Sequence, residues 1–242
     1  MKIIELLKEK QNDNKQGKPI TIAFLGDSIT QGCFECYLTS PNSLENGFDY
    51  KSAYSTRVKE ILNMLYPSVQ INIINSGIAG DRAVCATERF ERDVLSYNPD
   101  LVVISFGLND AAVGGVEGKA EYTDALEKMF NSLKEKNIDT LFLTENTMNT
   151  RVSPHLRDKM FIDLAERFSA IQNEGLVKEY FEAAKEMCDK LDVKVVDFYS
   201  LWEKAEAIGI NTTELFANKL NHPIRELHYY IATKIVEAIL FE

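Results

Sequence analysis

The chain has 242 residues and is 45% hydrophobic, enough to build a full core for one α/β domain. Its net charge of −10 sets it against phosphate backbones and anionic membrane surfaces, so nucleic acid is not an expected partner. No apolar run approaches the ~18 residues of a membrane span.

At the N-terminus, Ile3, Ile4, Leu6 and Leu7 sit among Glu5, Lys8 and Glu9. They read as one face of a short helix, with residues 1–18 forming a helical extension of a single domain over 1–242. The charges break up the apolar stretch, and no small-residue cleavage site follows. A secretory signal is therefore not expected, and a cytoplasmic location is, with secretion open should a leader have been trimmed.

Five short apolar runs follow: Ile20–Leu25, Val69–Asn75, Leu101–Phe106, Thr140–Thr144 and Val193–Phe198. Near-continuous hydrophobicity marks parallel strands covered on both faces. Helical spacing appears between and after them. The stripes are Tyr54, Val58, Ile61, Leu62 and Leu65; Tyr122, Leu126, Met129, Phe130 and Leu133; Leu156, Met160, Leu164, Phe168 and Ile171; Leu176, Tyr180, Ala184, Met187 and Leu191; and Leu227, Ile231, Ile235 and Ile239. Each reads as a core face. The alternation predicts right-handed βαβ crossovers and a five-stranded parallel sheet in the flavodoxin-like order 2-1-3-4-5, as a three-layer α/β/α sandwich. The polar stretch 39–49, TSPNSLENGFD, reads as a surface loop.

Ligands of such sheets bind beyond the carboxyl ends of the strands. The segments placed there are Gly26-Asp27-Ser28, Ser76 to Asp81, Gly107-Leu108-Asn109-Asp110, and Glu145 to Arg151, the last expected to line a substrate pocket. Ser28 stands at a strand-to-helix turn. Alone, it reads as a helix cap. The turn lacks a phosphate-cradle pattern. As a nucleophile, Ser28 needs a base. Of His155, His222 and His228, only His222 lies on a loop after the fifth strand, and Pro223 biases its backbone to an extended form. His155 reads as opening a helix and His228 as lying within the last one. Gly80 can present its N–H closely, Asn109 can offer a side-chain amide, and Ser28 adds its own N–H. Three such donors suit a developing oxyanion. Asp27 and Asp110 read as braces of their turns, and Asp81-Arg82 as a local salt bridge.

Gly26-Asp27-Ser28, Gly80, Gly107-Leu108-Asn109-Asp110 and His222-Pro223 together resemble the GDSL esterase/lipase, or SGNH hydrolase, family, over residues 20–241. The resemblance maps Ser28, Gly80, Asn109 and His222 onto the four letters. It implies the same three-layer fold and a serine hydrolase of carboxylic esters that uses no metal or organic cofactor. Family members act on acyl sugars, lipids, thioesters or acetylated polysaccharides. The polar insertion at 39–49 and the lack of a long apolar lid favour short acyl, notably acetyl, esters of carbohydrates. A lysophospholipase or thioesterase is the alternative within the class, and a weakened binding protein on the same fold is the alternative outside it. A flavin-binding protein is the remote third.

One position departs from the family pattern. The family usually carries Asp three residues before its His; here Lys219 stands there. Either a backbone carbonyl near residue 219 orients His222, or Glu226 or Glu214 does. Cys33-Phe34-Glu35-Cys36 is a C-x-x-C, but no second such pair or Cys/His pair accompanies it in sequence, so Cys33, Cys36, Cys85 and Cys188 read as ordinary reduced cysteines.

Overall fold

A computed structural model describes residues 1–40 and 43–241. In chain order its elements are α1 (Lys2–Asn12), β1 (Ile20–Gly26), α2 (Ser28–Gln31), β2 (Cys33–Ser40), β3 (Ser43–Phe48), α3 (Tyr54–Leu65) and β4 (Ile71–Gly77). Then come α4 (Ala83–Asp93), β5 (Leu101–Ser105), α5 (Leu108–Gly114), α6 (Lys119–Glu135) and β6 (Asp139–Thr144). The chain ends with α7 (Lys159–Asn173), α8 (Leu176–Leu191), β7 (Lys194–Asp197), α9 (Phe198–Ala207) and α10 (Arg225–Leu240).

Five strands form a parallel sheet in the order β4-β1-β5-β6-β7. This is the expected 2-1-3-4-5 order. All seven residues of β1 are buried, because it pairs on both sides and is covered on both faces. The edge strand β4 is buried only at its ends. Helices α1, α3 and α10 pack together on one face, while α4, α6 and α8 pack side by side on the other. The chain runs outward from β1 to β4, then back across to β5. The switch point of the sheet therefore lies at the carboxyl ends of β1 and β5, where Ser28 and Asn109 emerge.

Most of the expected stripes lie in the core. The α6 stripe is wholly buried, as are Tyr54, Val58, Ile61 and Leu62 of α3, whereas Leu65 faces solvent. In α7 the buried residues are Phe161, Ala165 and Gln172, and the expected stripe is only half-buried, with Leu156 ahead of the helix. The reason is local. Phe161 and Ala165 form a small separate cluster with Leu220, and Cys36, Leu38, Leu44, Leu156 and Leu164 pack against it.

That cluster corrects the reading of 39–49 as a loop. Residues of β2 and β3 form an antiparallel ribbon, with Leu38 opposite Leu44 and Tyr37 opposite Glu45; Pro41 and Asn42 lie outside the described residues. Of the polar residues that suggest a loop, Thr39, Ser40, Ser43 and Glu45 are exposed on the ribbon. Its apolar face meets α7 and the loop carrying His222.

At the end of β1, Gly26 pairs with Gly77 on one side and Ser105 on the other. A Cβ at Gly77 would overlap the backbone N of Gln31 and lie 2.8 Å from the Asp27 carbonyl oxygen, so α2 can close onto β4 only over glycine. Gly77→Ala should therefore cost about 2–3 kcal/mol by overpacking. A thermal melt should show Tm lower by roughly 4–12 °C, and an unchanged Tm would contradict this packing.

Candidate active site

The turn after β1 gives its cap to Asp27. Its Oδ1 accepts from the Ile29 N–H at 2.9 Å. Ser28 is thereby free of the capping role. Its Oγ lies 2.9 Å from His222 Nε2, and both side chains are 5% exposed. The other ring nitrogen, Nδ1, is 3.2 Å from the backbone carbonyl of Phe34. A carbonyl only accepts, so the neutral ring carries its proton on Nδ1 and offers the Nε2 lone pair to the Ser28 hydroxyl.

The acceptor is thus a backbone carbonyl, as one of the two expectations had it, but it comes from β2 rather than from near residue 219. Lys219 has φ 60° and bonds through Nζ to the Glu214 carbonyl at 2.8 Å and carboxylate at 3.2 Å. Glu214 is further engaged by Ser153 and His155. Glu226 is exposed on α10. Neither glutamate bonds His222. His155 sits in a turn ahead of α7, and His228, buried in α10, accepts from the Tyr54 N–H at 3.1 Å. Burial holds His228 down at about 3, neutral at ordinary pH.

The His222 loop is organised by a residue that sequence reasoning passed over. Asn218 Oδ1 accepts the backbone N–H groups of Leu220, Asn221 and His222, each at 3.0 Å. An Asn four residues before a candidate base was the available signal. From beneath, Asn146 Nδ2 donates to the Asn221 carbonyl at 2.8 Å, and Asn149 N–H to the Leu220 carbonyl at 2.7 Å. The segment 145–149 is fully buried. It braces the loop from within the core, and Arg151 pairs with Glu206 at the surface.

Gly80 has φ 78° and open space where a Cβ would stand. Its N–H has no hydrogen-bond partner among the described residues. The Ser28 N–H, in the first turn of α2, has no acceptor within that helix. Asn109 Nδ2 donates to Asp27 Oδ2 at 2.8 Å and to the Asp81 carbonyl at 3.1 Å. Both of its amide hydrogens are engaged, so serving an oxyanion requires exchange of the longer bond. Asp81 pairs with Arg89 at 2.6 Å, not with its neighbour Arg82. Arg89 also donates to the Ser76 carbonyl at 2.7 Å and so ties the Gly80 loop to the end of β4. That ion pair spans eight residues and left no local pattern to read.

Acids cluster beneath Ser28. Burial raises Asp27 to about 6, against the pull of the Ile29 N–H. Burial, with Asp27 alongside, pushes Glu145 well above the carboxylate range. Glu145 Oε2 accepts from the Leu108 N–H at 2.9 Å, and the buried Oε1 has no hydrogen-bond partner among the described residues. Of these two neighbouring acids Glu145 is the one pushed furthest toward its neutral form, while Asp27 fixes Asn109. Asp110 is raised by burial to about 7 while accepting from the Ala83 N–H.

Residues 24–228 match the GDSL-like Lipase/Acylhydrolase family. The chain belongs to this family. An acetylxylan esterase of Geobacillus stearothermophilus is 30% identical over 123 residues, 49% of this chain and 54% of the relative. The uncharacterized lipoprotein YqeF of Bacillus subtilis (strain 168) is 30% identical over 102 residues, 40% of this chain and 42% of the relative. These alignments thus span about half the length of the curated relatives. Among solved structures, the acetyl xylan esterase AlAXEase superposes with TM-score 0.66 at 21% identity, covering 91% of this chain and all of that one. The lipase/acylhydrolase from Enterococcus faecalis gives 0.66 at 23%, covering 91% and 95%. A two-domain esterase active on acetylated mannans gives 0.64 at 22%, covering 96% of this chain and 52% of that one. These likenesses establish the fold.

A carboxyl that is neutral when folded stabilises the fold fully below its unfolded value of about 4.5 and loses that contribution as pH rises through its higher folded value. Gln at 145 keeps the bond from the Leu108 N–H and does not titrate. Glu145→Gln should therefore match the parent Tm near pH 4 and gain on it as pH rises, by up to about 1.4 kcal/mol per unit. A Tm difference independent of pH between 4 and 8 would contradict a protonated Glu145.

Proposed function

We propose that the chain is a serine esterase that removes short acyl groups, acetyl foremost, from carbohydrates or similar polar alcohols. The observation that carries this reading is the single imidazole held between the Phe34 carbonyl and the Ser28 hydroxyl. A serine so placed can lose its proton as it attacks.

In the first half-reaction His222 Nε2 takes the Ser28 proton while Oγ adds to the ester carbonyl. The oxyanion is received by the N–H groups of Ser28 and Gly80 and by Asn109, which gives up the Asp81 carbonyl. The imidazolium then protonates the leaving alkoxide. Water, deprotonated by the same nitrogen, releases the acid and restores Ser28. The Phe34 carbonyl fixes the tautomer that a carboxylate would otherwise fix, and its dipole faces the transient positive charge. It supplies less charge stabilisation than an acid would. The centre is therefore a dyad with a backbone orienter.

The acetyl preference is supported by the nearly closed site, where Ser28 and His222 are each only 5% exposed. The acetylxylan esterase relative points the same way. Among the described residues no helix is long and apolar enough to cross a membrane. We place the protein in the cytoplasm, a setting that suits its four free cysteines.

Ser28→Ala and His222→Ala should each lower kcat on p-nitrophenyl acetate at least ~10³-fold with unchanged fold by circular dichroism. Across a p-nitrophenyl ester series, kcat/KM should peak at two to four carbons. A peak at eight or more would replace the carbohydrate-ester reading with a lipid one, and parental activity of Ser28→Ala would refute the mechanism.

A further inference from the structure

The C-x-x-C segment lies at the start of β2, beside the catalytic imidazole. On a regular strand, residues three apart point to opposite faces. Here the ladder gains one residue between Cys33, opposite Phe48, and Cys36, opposite Asn46. This bulge lets both thiols turn toward the His222 loop. Cys33 Sγ, Cys36 Sγ and a ring nitrogen of His222 all lie within 4.8 Å of one another. The Cys36 sulfur is 4.0 Å from Nδ1. The partner that the sequence lacked beside the C-x-x-C is thus supplied from 186 residues away.

We propose that Cys33, Cys36 and His222 Nδ1 form a site for a thiophilic divalent cation of the Zn²⁺ class, whose binding shuts off the Ser28–His222 centre. The inference rests on the esterase reading for its consequence but not for the site itself. Tetrahedral Zn²⁺ with bonds of about 2.0–2.3 Å needs its donors roughly 3.5–3.8 Å apart. The three atoms approach that spacing, and side-chain rotations can close the remaining gap. Two sulfurs and an imidazole select Zn²⁺ or Cd²⁺ over Mg²⁺ or Ca²⁺. Polar groups already surround the sulfur. Asn218 Nδ2 reaches Cys36 Sγ at 3.7 Å, and Asn46 Oδ1 accepts from its thiol at 3.2 Å. After the thiol proton leaves, the Asn218 amide remains as a donor to a metal-bound sulfur.

The consequence follows from proton accounting. In the active ring the proton is on Nδ1, facing the Phe34 carbonyl. A cation at Nδ1 displaces it, and the neutral ring then carries its proton on Nε2. The two thiols release theirs to solvent. Nε2 becomes a donor to Ser28 Oγ and has no lone pair to accept the hydroxyl proton, so acylation stops. The cation forms no bond to substrate and takes no part in the hydrolysis. Chelation restores the Nδ1 proton and the base.

The test uses the full chain, reduced and stripped with EDTA. Zn²⁺ measured by competition with a chromophoric chelator should bind at one per chain, and Co²⁺ should produce a near-ultraviolet thiolate-to-metal charge-transfer band. Hydrolysis of p-nitrophenyl acetate should fall at least tenfold with the same titration and recover on EDTA. Cys36→Ser, at a half-buried position, should lose the band's intensity and weaken Zn²⁺ binding at least tenfold. Its inhibition is read against its own metal-free rate. Cys33→Ala is a second variant with the same expected loss. A chain that binds no Zn²⁺, a Cys36→Ser protein that binds it as tightly as the parent, or a loaded parent that hydrolyses at the metal-free rate would each overturn the proposal. Should the stripped chain prove inactive on every ester, the esterase reading fails, while the cobalt band and its loss in Cys36→Ser still decide the site.

Discussion

One imidazole with two fixed partners is the constraint on which the rest depends. His222 must meet the Phe34 carbonyl through Nδ1 and Ser28 through Nε2 at once. These three residues come from the first strand of the ribbon, the exit of β1 and the loop before the last helix. Each of those segments is held by backbone-directed bonds. Asn218 gathers three successive N–H groups of the loop, and Asn146 and Asn149 bind its carbonyls from below. Bonds to the main chain set the position of the ring more tightly than packing alone would, because they fix the backbone from which the side chain projects.

The acids below the nucleophile belong to the same scheme. Asp27 caps α2 with one oxygen and holds Asn109 with the other. Two negative charges in that buried space would repel. Burial beside Asp27 pushes Glu145 toward its neutral form, which removes the conflict. Arg89 meets Asp81 on the far side of the Gly80 loop, so the one buried cation there is paired with an acid as burial requires. The position that the family usually gives to an acid near the histidine is here a lysine tied to Glu214, while a peptide carbonyl of β2 takes the Nδ1 proton.

Much of this was readable in the residues. Buried parallel strands are near-continuous apolar runs, so all five are located to within two residues, and their order is the flavodoxin-like one that five alternating strands suggest. Ser28, Gly80, Asn109 and His222 were named because each follows a strand at the ligand-binding edge. The pairing of His222 with Ser28 is what the structure adds. The unread parts share a cause. A backbone acceptor such as the Phe34 carbonyl has no residue-type signature. The salt bridge of Asp81 goes to Arg89 across a helix, where adjacency had suggested Arg82. The ribbon at 33–48 shows its polar face in the sequence and its apolar residues only in alternation. The segment 145–149 is polar and strand-terminal, which suggests a pocket, yet it is buried, and Asn146 Nδ2 and the Asn149 N–H hold the His222 loop. The C-x-x-C was set aside for lack of a partner that only the fold supplies.

In the proposed mechanism the His222 imidazole makes Ser28 a nucleophile at neutral pH. A fluorophosphonate reports this directly, since the attacking oxygen displaces fluoride and remains bonded to phosphorus. After labelling at pH 7.5, the account predicts one adduct per chain, mapped by peptide mass spectrometry to Ser28 and absent when His222 is replaced by Ala. An unlabelled chain, or an adduct on another residue with Ser28 unmodified, would contradict it.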